Sequence, residues 1–310
     1  MENASAVIVL QPQEINERQN DAACLRLLEV ADAAHERANT IESARWVTIA
    51  GLTLATFVVL FIPDWSGYAA IGGLLASILT EYLWPVFGRA QNRRAALVQE
   101  MFDTSLFGLD WSDDVGVPLT ASEVSRLHAQ YGGTSPKNDW YMDVSGVPSP
   151  IAELSCQREN LLWDAAIRQE WAWRLAATTG ALAVLGILVA LSLQWTVFEL
   201  LTSFLAPAAP VFAALIVAVH SHRKVANSKL ELRIDLDKEL HRIGPSTITA
   251  SDVTSLRNRS RRLQSKIFES RCETVRVPRS FYEKRRDRYE IDHAAESDAI
   301  KAIWASHDTV

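Results

Sequence analysis

Four strongly apolar stretches, set as two close pairs, constrain this chain more than any other feature: Trp46 to Ile62 with Ala69 to Phe87, and Leu175 to Leu193 with Leu200 to Val219. At 1.5 Å per helical residue, each is long enough to cross a hydrocarbon core about 30 Å thick. Together they hold one acidic or basic residue, Glu81. A core helix of a soluble protein shows a polar position every third or fourth residue, so the pattern predicts an integral membrane protein built on two helical hairpins.

Charge placement sets the expected orientation. Arg37 and Arg45 precede the first stretch, Arg89, Arg93 and Arg94 follow the second, Arg168 and Arg174 precede the third, and Arg223 and Lys224 follow the fourth. The connectors Pro63-Asp64-Trp65-Ser66-Gly67 and Gln194-Trp195-Thr196 carry no Lys or Arg, and their tryptophans suit a headgroup layer. Basic residues beside span ends stay in the cytoplasm, so both termini and the long middle segment are expected there. The expected division is a cytoplasmic N-terminal helix (1–44), transmembrane hairpin 1 (45–88), a cytoplasmic middle segment (89–172), transmembrane hairpin 2 (173–220) and a cytoplasmic C-terminal helical region (221–310). No signal peptide is expected, because the apolar run Ala6 to Leu10 is too short and Glu2 precedes it in place of a basic cluster.

The polar segments read as helical continuations of the spans, giving an all-α fold: four transmembrane helices in two hairpins, with long cytoplasmic extensions forming a stalk. Cys24, Leu27, Leu28, Ala31, Ala34, Ala38 and Ile41 recur at helical spacing, which predicts one helix from about Glu14 into the membrane. Ser149-Pro150 marks the start of the helix entering the third span, and Gly244-Pro245 ends the one leaving the fourth. Between the hairpins, Thr120-x-x-Glu123 is a capping box, and residues from Gly132 to Pro148 form a Gly/Pro/Asn-rich loop. A further helix from about Thr249 carries the stripe Val253, Leu256, Leu263 and Ile267 opposite Arg259, Arg262 and Lys266, and a last one is expected over about Phe281 to Trp304.

Catalytic and metal chemistry find little support. The chain has no G-x-x-x-x-G-K-[ST], H-E-x-x-H or G-x-S-x-G motif and no clustered Cys/His set. His220 and His222, at the membrane edge, lack the neighbours a metal site needs. No enzyme, cofactor or metal is expected. Cys24, Cys156 and Cys272 lie far apart, which fits free thiols in a reducing compartment. The net charge of -6 averages an acidic end over basic collars and says little about partners.

Polar residues inside or beside the spans are the informative ones. A carboxylate at the depth of Glu81 costs about 2.5–3.5 kcal/mol unless it meets water or a partner. Glu81 shares a helix face with Ser77 and Gly73, making that face a pore-lining or subunit-contact candidate, with pairing to Arg89 as the alternative. Small residues such as Gly186 and Ala190 suit close helix packing. Cys156, Gln157, Arg158, Asn160 and Asp164 read as a polar network tying stalk helices together.

Soluble-side strings then carry a resemblance. Ile15-Asn16-Glu17-Arg18-Gln19-Asn20, Gln99-Glu100-Met101-Phe102-Asp103 with Leu106 to Trp111, Asp139-Trp140-Tyr141, Cys156 to Asp164 with Arg168, Phe268 to Arg271, and Val277 to Tyr282 with Arg285 stand in order around the four spans. In these the chain resembles the bacterial SMODS-associated four-transmembrane pore-forming effectors of cyclic-oligonucleotide antiphage signalling (CBASS). It departs from them near the first helix, where Val30-Ala31-Asp32-Ala33-Ala34-His35 replaces an Ala-Gln-Arg string followed by Tyr.

The resemblance implies a multi-pass protein of the bacterial inner membrane that acts in abortive infection. A cGAS/DncV-like nucleotidyltransferase would supply a cyclic oligonucleotide as activating ligand, and the effector would oligomerise with its own copies and permeabilise the bilayer. Its partners would be the bilayer, further copies of itself and that synthase, with no nucleic acid polymer among them. A constitutive channel or transporter, and a membrane-anchored sensor or scaffold, are the alternatives. A ligand of phosphates and bases needs cationic forks and aromatic faces, which nominates Arg259, Arg262 and Lys266 with Tyr282, and the loop residues Trp140 and Tyr141.

Overall fold

The computed structural model describes residues 12–59, 62, 71, 78, 84–133, 137–243, 249–273 and 277–304. Among them every regular element is helical. In chain order these are α1 (Pro12–Arg18), α2 (Ala22–Val59), α3 (Trp84–Phe107), a 3₁₀ turn (Asp113–Val115), α4 (Ala121–His128), α5 (Ile151–Ser192) and α6 (Val197–Leu200). A π-helical turn, Leu201–Leu205, leads into α7 (Ala206–Ile243), followed by α8 (Ala250–Glu273), α9 (Arg279–Glu283) and α10 (Arg286–Trp304).

Two pairings organise the molecule: α5 lies along α7, and α2 along α3. Two helical stretches among the described residues, Ile151–Ser192 and Val197–Arg242, are long and apolar enough to cross a membrane. Their apolar parts face outward, with Val184, Leu185, Leu188, Leu191, Ile216 and Val217 each more than half exposed. Val47 and Leu54 of α2 are likewise 72% and 64% exposed. A soluble core helix would bury such residues; these make sense with lipid as the solvent. Most of the second apolar stretch, with Gly73, Ser77 and Glu81, lies outside the described residues.

The polar halves of the helices gather into a head. Phe102, Leu106 and Phe107 of α3, Ile151, Leu154 and Leu161 of α5, Leu236 of α7, and Leu256, Leu263 and Ile267 of α8 form its core. The caps explain the boundaries. Thr120 and Glu123 exchange hydrogen bonds at the start of α4, and Thr249 and Asp252 do the same at the start of α8. At the start of α5 no side chain caps the main chain, and Ser149 Oγ donates instead to the Glu153 carboxylate at 2.5 Å.

Two expectations are corrected. The N-terminal helix does not run unbroken from Glu14: α1 stops at Arg18 and α2 starts at Ala22, because Asn16, Gln19 and Asn20 turn their amides to the 139–144 loop. The last helix is likewise split, α9 closing at Glu283 before α10 begins at Arg286.

Inside the apolar layer, Gly186 of α5 sits against the Phe204 ring, where a Cβ would fall 2.1–2.6 Å from ring carbons. Phe204 also meets Phe57 of α2 at 6.0 Å and Phe212 at 6.3 Å between ring centroids, so it joins the two hairpins. Phe204 belongs to the π turn, in which the Ala206 N–H reaches back to the Leu201 carbonyl. Pro207 and Pro210, just beyond, have no N–H to offer. Gly186→Ala should therefore destabilise the full chain in detergent by about 1–3 kcal/mol through overpacking, and should cost much less when it is introduced into a Phe204→Ala background. Strictly additive losses on thermal unfolding would contradict this contact.

Candidate functional site

Two buried polar clusters fasten the long helices to one another. The first lies at the centre of the head. One turn apart on α3, Glu100 and Asp103 are both buried, on the face that also carries Leu106 and Phe107. Burying two carboxylates demands donors, and α8 supplies them. Gln264 Nε2 donates to Glu100 Oε2 and Asp103 Oδ2, each at 2.8 Å, Arg261 Nη2 to Glu100 Oε1 at 2.6 Å, and Arg271 Nη1 to Asp103 Oδ2 at 2.6 Å. On α5, Gln157 completes the junction: its Nε2 donates to Gln264 Oε1 at 3.0 Å, and its Oε1 accepts from Ser260 Oγ at 3.0 Å. Gln157 and Gln264 are both 0% exposed.

The electrostatics follow from burial set against these partners. Burial raises the Glu100 carboxyl above its usual range, partly offset by Arg261 and Gln264. Burial alone would lower the Arg271 guanidinium, but the facing Asp103 charge holds it above its ordinary value. Burial and Asp103 push the Tyr141 hydroxyl well up, and burial does the same to the Cys156 thiol, so neither is reactive.

The loop on this junction is fastened by both ends of the chain. Gln19 and Tyr141 exchange side-chain and main-chain hydrogen bonds at 2.8 and 3.3 Å, and Asn20 pairs reciprocally with Asp139 at 2.9 Å. Asp143 accepts from Asn16 at 2.6 Å and from Lys301 of α10. Burial would raise that carboxyl, yet Lys301 and Ser145 hold it down to about 2. Trp140 is half-buried against the core, and Tyr141, 4% exposed, donates its hydroxyl to Asp103 at 2.7 Å. The expectation that this pair offers open stacking faces is thus corrected for Tyr141, whose ring lies between Phe102 and Phe107.

The second cluster lies where α5 and α7 leave the head. Asp164 accepts from Arg168 Nε at 2.6 Å and pairs with Lys229 Nζ at 2.8 Å, while Arg168 Nη1 lies 3.3 Å from His222 Nδ1. Burial would raise Asp164, but the two cations hold it far below the usual range. Burial draws Lys229 down to about 8 against the pull of Asp164. His222 falls to about 3, through burial and then the Arg168 charge. Arg168, counted from the sequence among the basic residues that precede the third span, is buried. Among the cations that face rings are Arg174 over Phe281 at 4.8 Å, Arg285 over Phe281 at 4.0 Å and Arg223 over Trp173 at 5.9 Å.

The sequence-nominated residues divide accordingly. Arg158 bridges Asp237 and Glu296, both at 2.6 Å, tying α5 to α7 and α10. Asn160 is half-buried on the same helix. Arg259 pairs with Glu239 of α7 at 3.0 Å, whereas Arg262 and Lys266 stay on the outer face, Lys266 reaching Glu269 at 2.8 Å. Tyr282 packs on Trp163 with centroids 5.6 Å apart, so the nominated basic residues and tyrosines do not share one contact set. Glu100, Asp103, Gln264, Arg271 and Lys229 were missed as network members. Their signal was an acidic pair at i, i+3 on an otherwise apolar helix face.

A family model described as the SMODS-associating 4TM effector domain matches residues 13–300. No curated protein and no solved structure matches the chain.

Arg271→Met, which leaves the buried Asp103 charge without its cation, should cost about 3–5 kcal/mol of head stability, and Arg271→Met with Asp103→Leu less, as read by thermal unfolding in detergent. His222 adds a pH dependence. The unfolded chain takes up its proton near the ordinary 6.5 and the folded one only near 3, so this contribution is complete above 6.5 and lost as pH falls. The slope should reach at most about 1.4 kcal/mol per pH unit and vanish in His222→Asn.

Proposed function

We propose that this chain, which belongs to the SMODS-associating 4TM effector domain family, is the membrane-permeabilising effector of an antiphage system, held closed by its head until a cyclic oligonucleotide arrives. A link to an SMODS nucleotidyltransferase system and to the membrane goes with that membership. The observation that carries the reading is continuity: α2, α5 and α7 each run without interruption from the polar head into the outward-facing apolar layer. At 1.5 Å per residue, the 42 residues of α5 make a rod about 63 Å long. A rod of that stiffness carries a tilt imposed on it in the head through to its apolar end.

One copy encloses little room for water, so permeabilisation proceeds through several copies. The outward apolar faces of α5 and α7 give those copies, or lipid, a surface to meet. The chemistry asked of the protein is mechanical, the reorganisation of two buried polar clusters, and involves no bond making. In this orientation the head and both termini are cytoplasmic.

Purified protein in liposomes loaded with a self-quenching dye should release it on addition of the product of the partner nucleotidyltransferase and stay sealed without it. Release in the absence of nucleotide would overturn the trigger, and sealed vesicles with nucleotide bound would overturn permeabilisation. A cysteine placed at Thr196 should react with an impermeant maleimide on intact spheroplasts, and one at Ser145 only after lysis; the reverse pattern would overturn the orientation.

A further inference from the structure

A cleft of about 310 Å³ opens between α2, α3 and α4, lined by Arg37, Arg94 and Arg126, one from each helix, with Glu123, Leu119 and Leu127. The short α4 is fixed over α2 and α3 by an apolar cluster of Val124 and Leu127 with Val30, Ala31 and Val98, which makes the cleft a built feature of the head. All three arginines are exposed, and among the described residues none of them forms an ion pair. The carboxylate in the cleft, Glu123, is already committed, accepting the Thr120 main-chain N–H at 2.9 Å and hydroxyl at 2.8 Å. Those cap bonds, and more weakly the charges of Arg126 and Arg94, keep it ionised.

We infer that this cleft is a binding site for a phosphodiester-bearing ligand. Guanidinium forks from three helices suit the non-bridging oxygens of linked phosphates, and the leucines give a base or glycerol moiety an apolar wall. Two sources share that chemistry, a free cyclic oligonucleotide and an anionic lipid headgroup. Arg37 stands nine residues before Trp46, about 13 Å along α2 from the start of the apolar stretch, against a headgroup layer about 5–8 Å deep. That height favours the free ligand. Identifying it as the activator rests on the function proposed above; the site itself does not.

The test is a binding measurement independent of permeabilisation, using inorganic pyrophosphate as probe and calorimetry on the full chain in phosphatidylcholine nanodiscs. Arg37→Gln, Arg94→Gln and Arg126→Gln should each weaken binding about tenfold or more, as loss of a charge-assisted hydrogen bond does, while Arg262→Gln should not. Equal pyrophosphate affinity in the wild type and the triple variant, or no binding in either, would overturn the site. Repeating the titration on the wild type in phosphatidylglycerol nanodiscs separates the sources: unchanged affinity points to a free ligand, and weakening that grows with the phosphatidylglycerol fraction as competition requires assigns the cleft to lipid. Dye release on trigger with the triple variant intact in fold would leave the effector reading standing and remove the cleft as its trigger site.

Discussion

Everything in the head depends on how two buried carboxylates on α3 are satisfied. Glu100 and Asp103 sit where a core would place leucine, and each draws donors from α8, which α5 then joins through Gln157. A polar network of this kind contributes little net stability over an apolar core of equal volume, but it is unforgiving of register. Sliding α8 by one residue would strand both acids. The arrangement therefore specifies one packing of α3, α5 and α8, and any competing packing must find these same groups new partners.

The same logic recurs at the membrane edge. Asp164, Arg168, Lys229 and His222 join α5 to α7 a few turns before those helices enter the apolar layer. Further out, the contacts change in kind: Phe204 fits against Gly186 and touches Phe57, and packing of rings on small residues replaces hydrogen bonding. From the head outward, then, the molecule passes from a register-defining polar junction, through a charged waist, to an apolar bundle held by shape.

Much of the architecture was legible because it depends on periodicity and short-range chemistry. The apolar stretches, the Thr120–Glu123 cap, and the stripe Leu256, Leu263 and Ile267 all announce themselves within a few residues. The network could not be read that way: Gln157 meets Ser260 and Gln264 more than a hundred residues away, and on α8 those partners look like ordinary polar positions. The partners of the arginines were the least legible: Arg168, counted among the basic residues before the third span, is buried in the waist, Arg261 reaches the distant Glu100, and Arg259, nominated for the ligand, pairs with Glu239. The cleft of Arg37, Arg94 and Arg126 was invisible because it takes one residue from each of three helices.

On the function proposed above, the Gln157–Gln264 junction holds the closed state and gives way on activation. Hydrogen exchange in liposomes, followed over 97–107 of α3 and 256–271 of α8 with and without saturating activator, tests it most directly. Strong protection of both segments at rest, and a marked loss of it under the conditions that release dye, are expected. Full dye release with protection unchanged in both segments would contradict it.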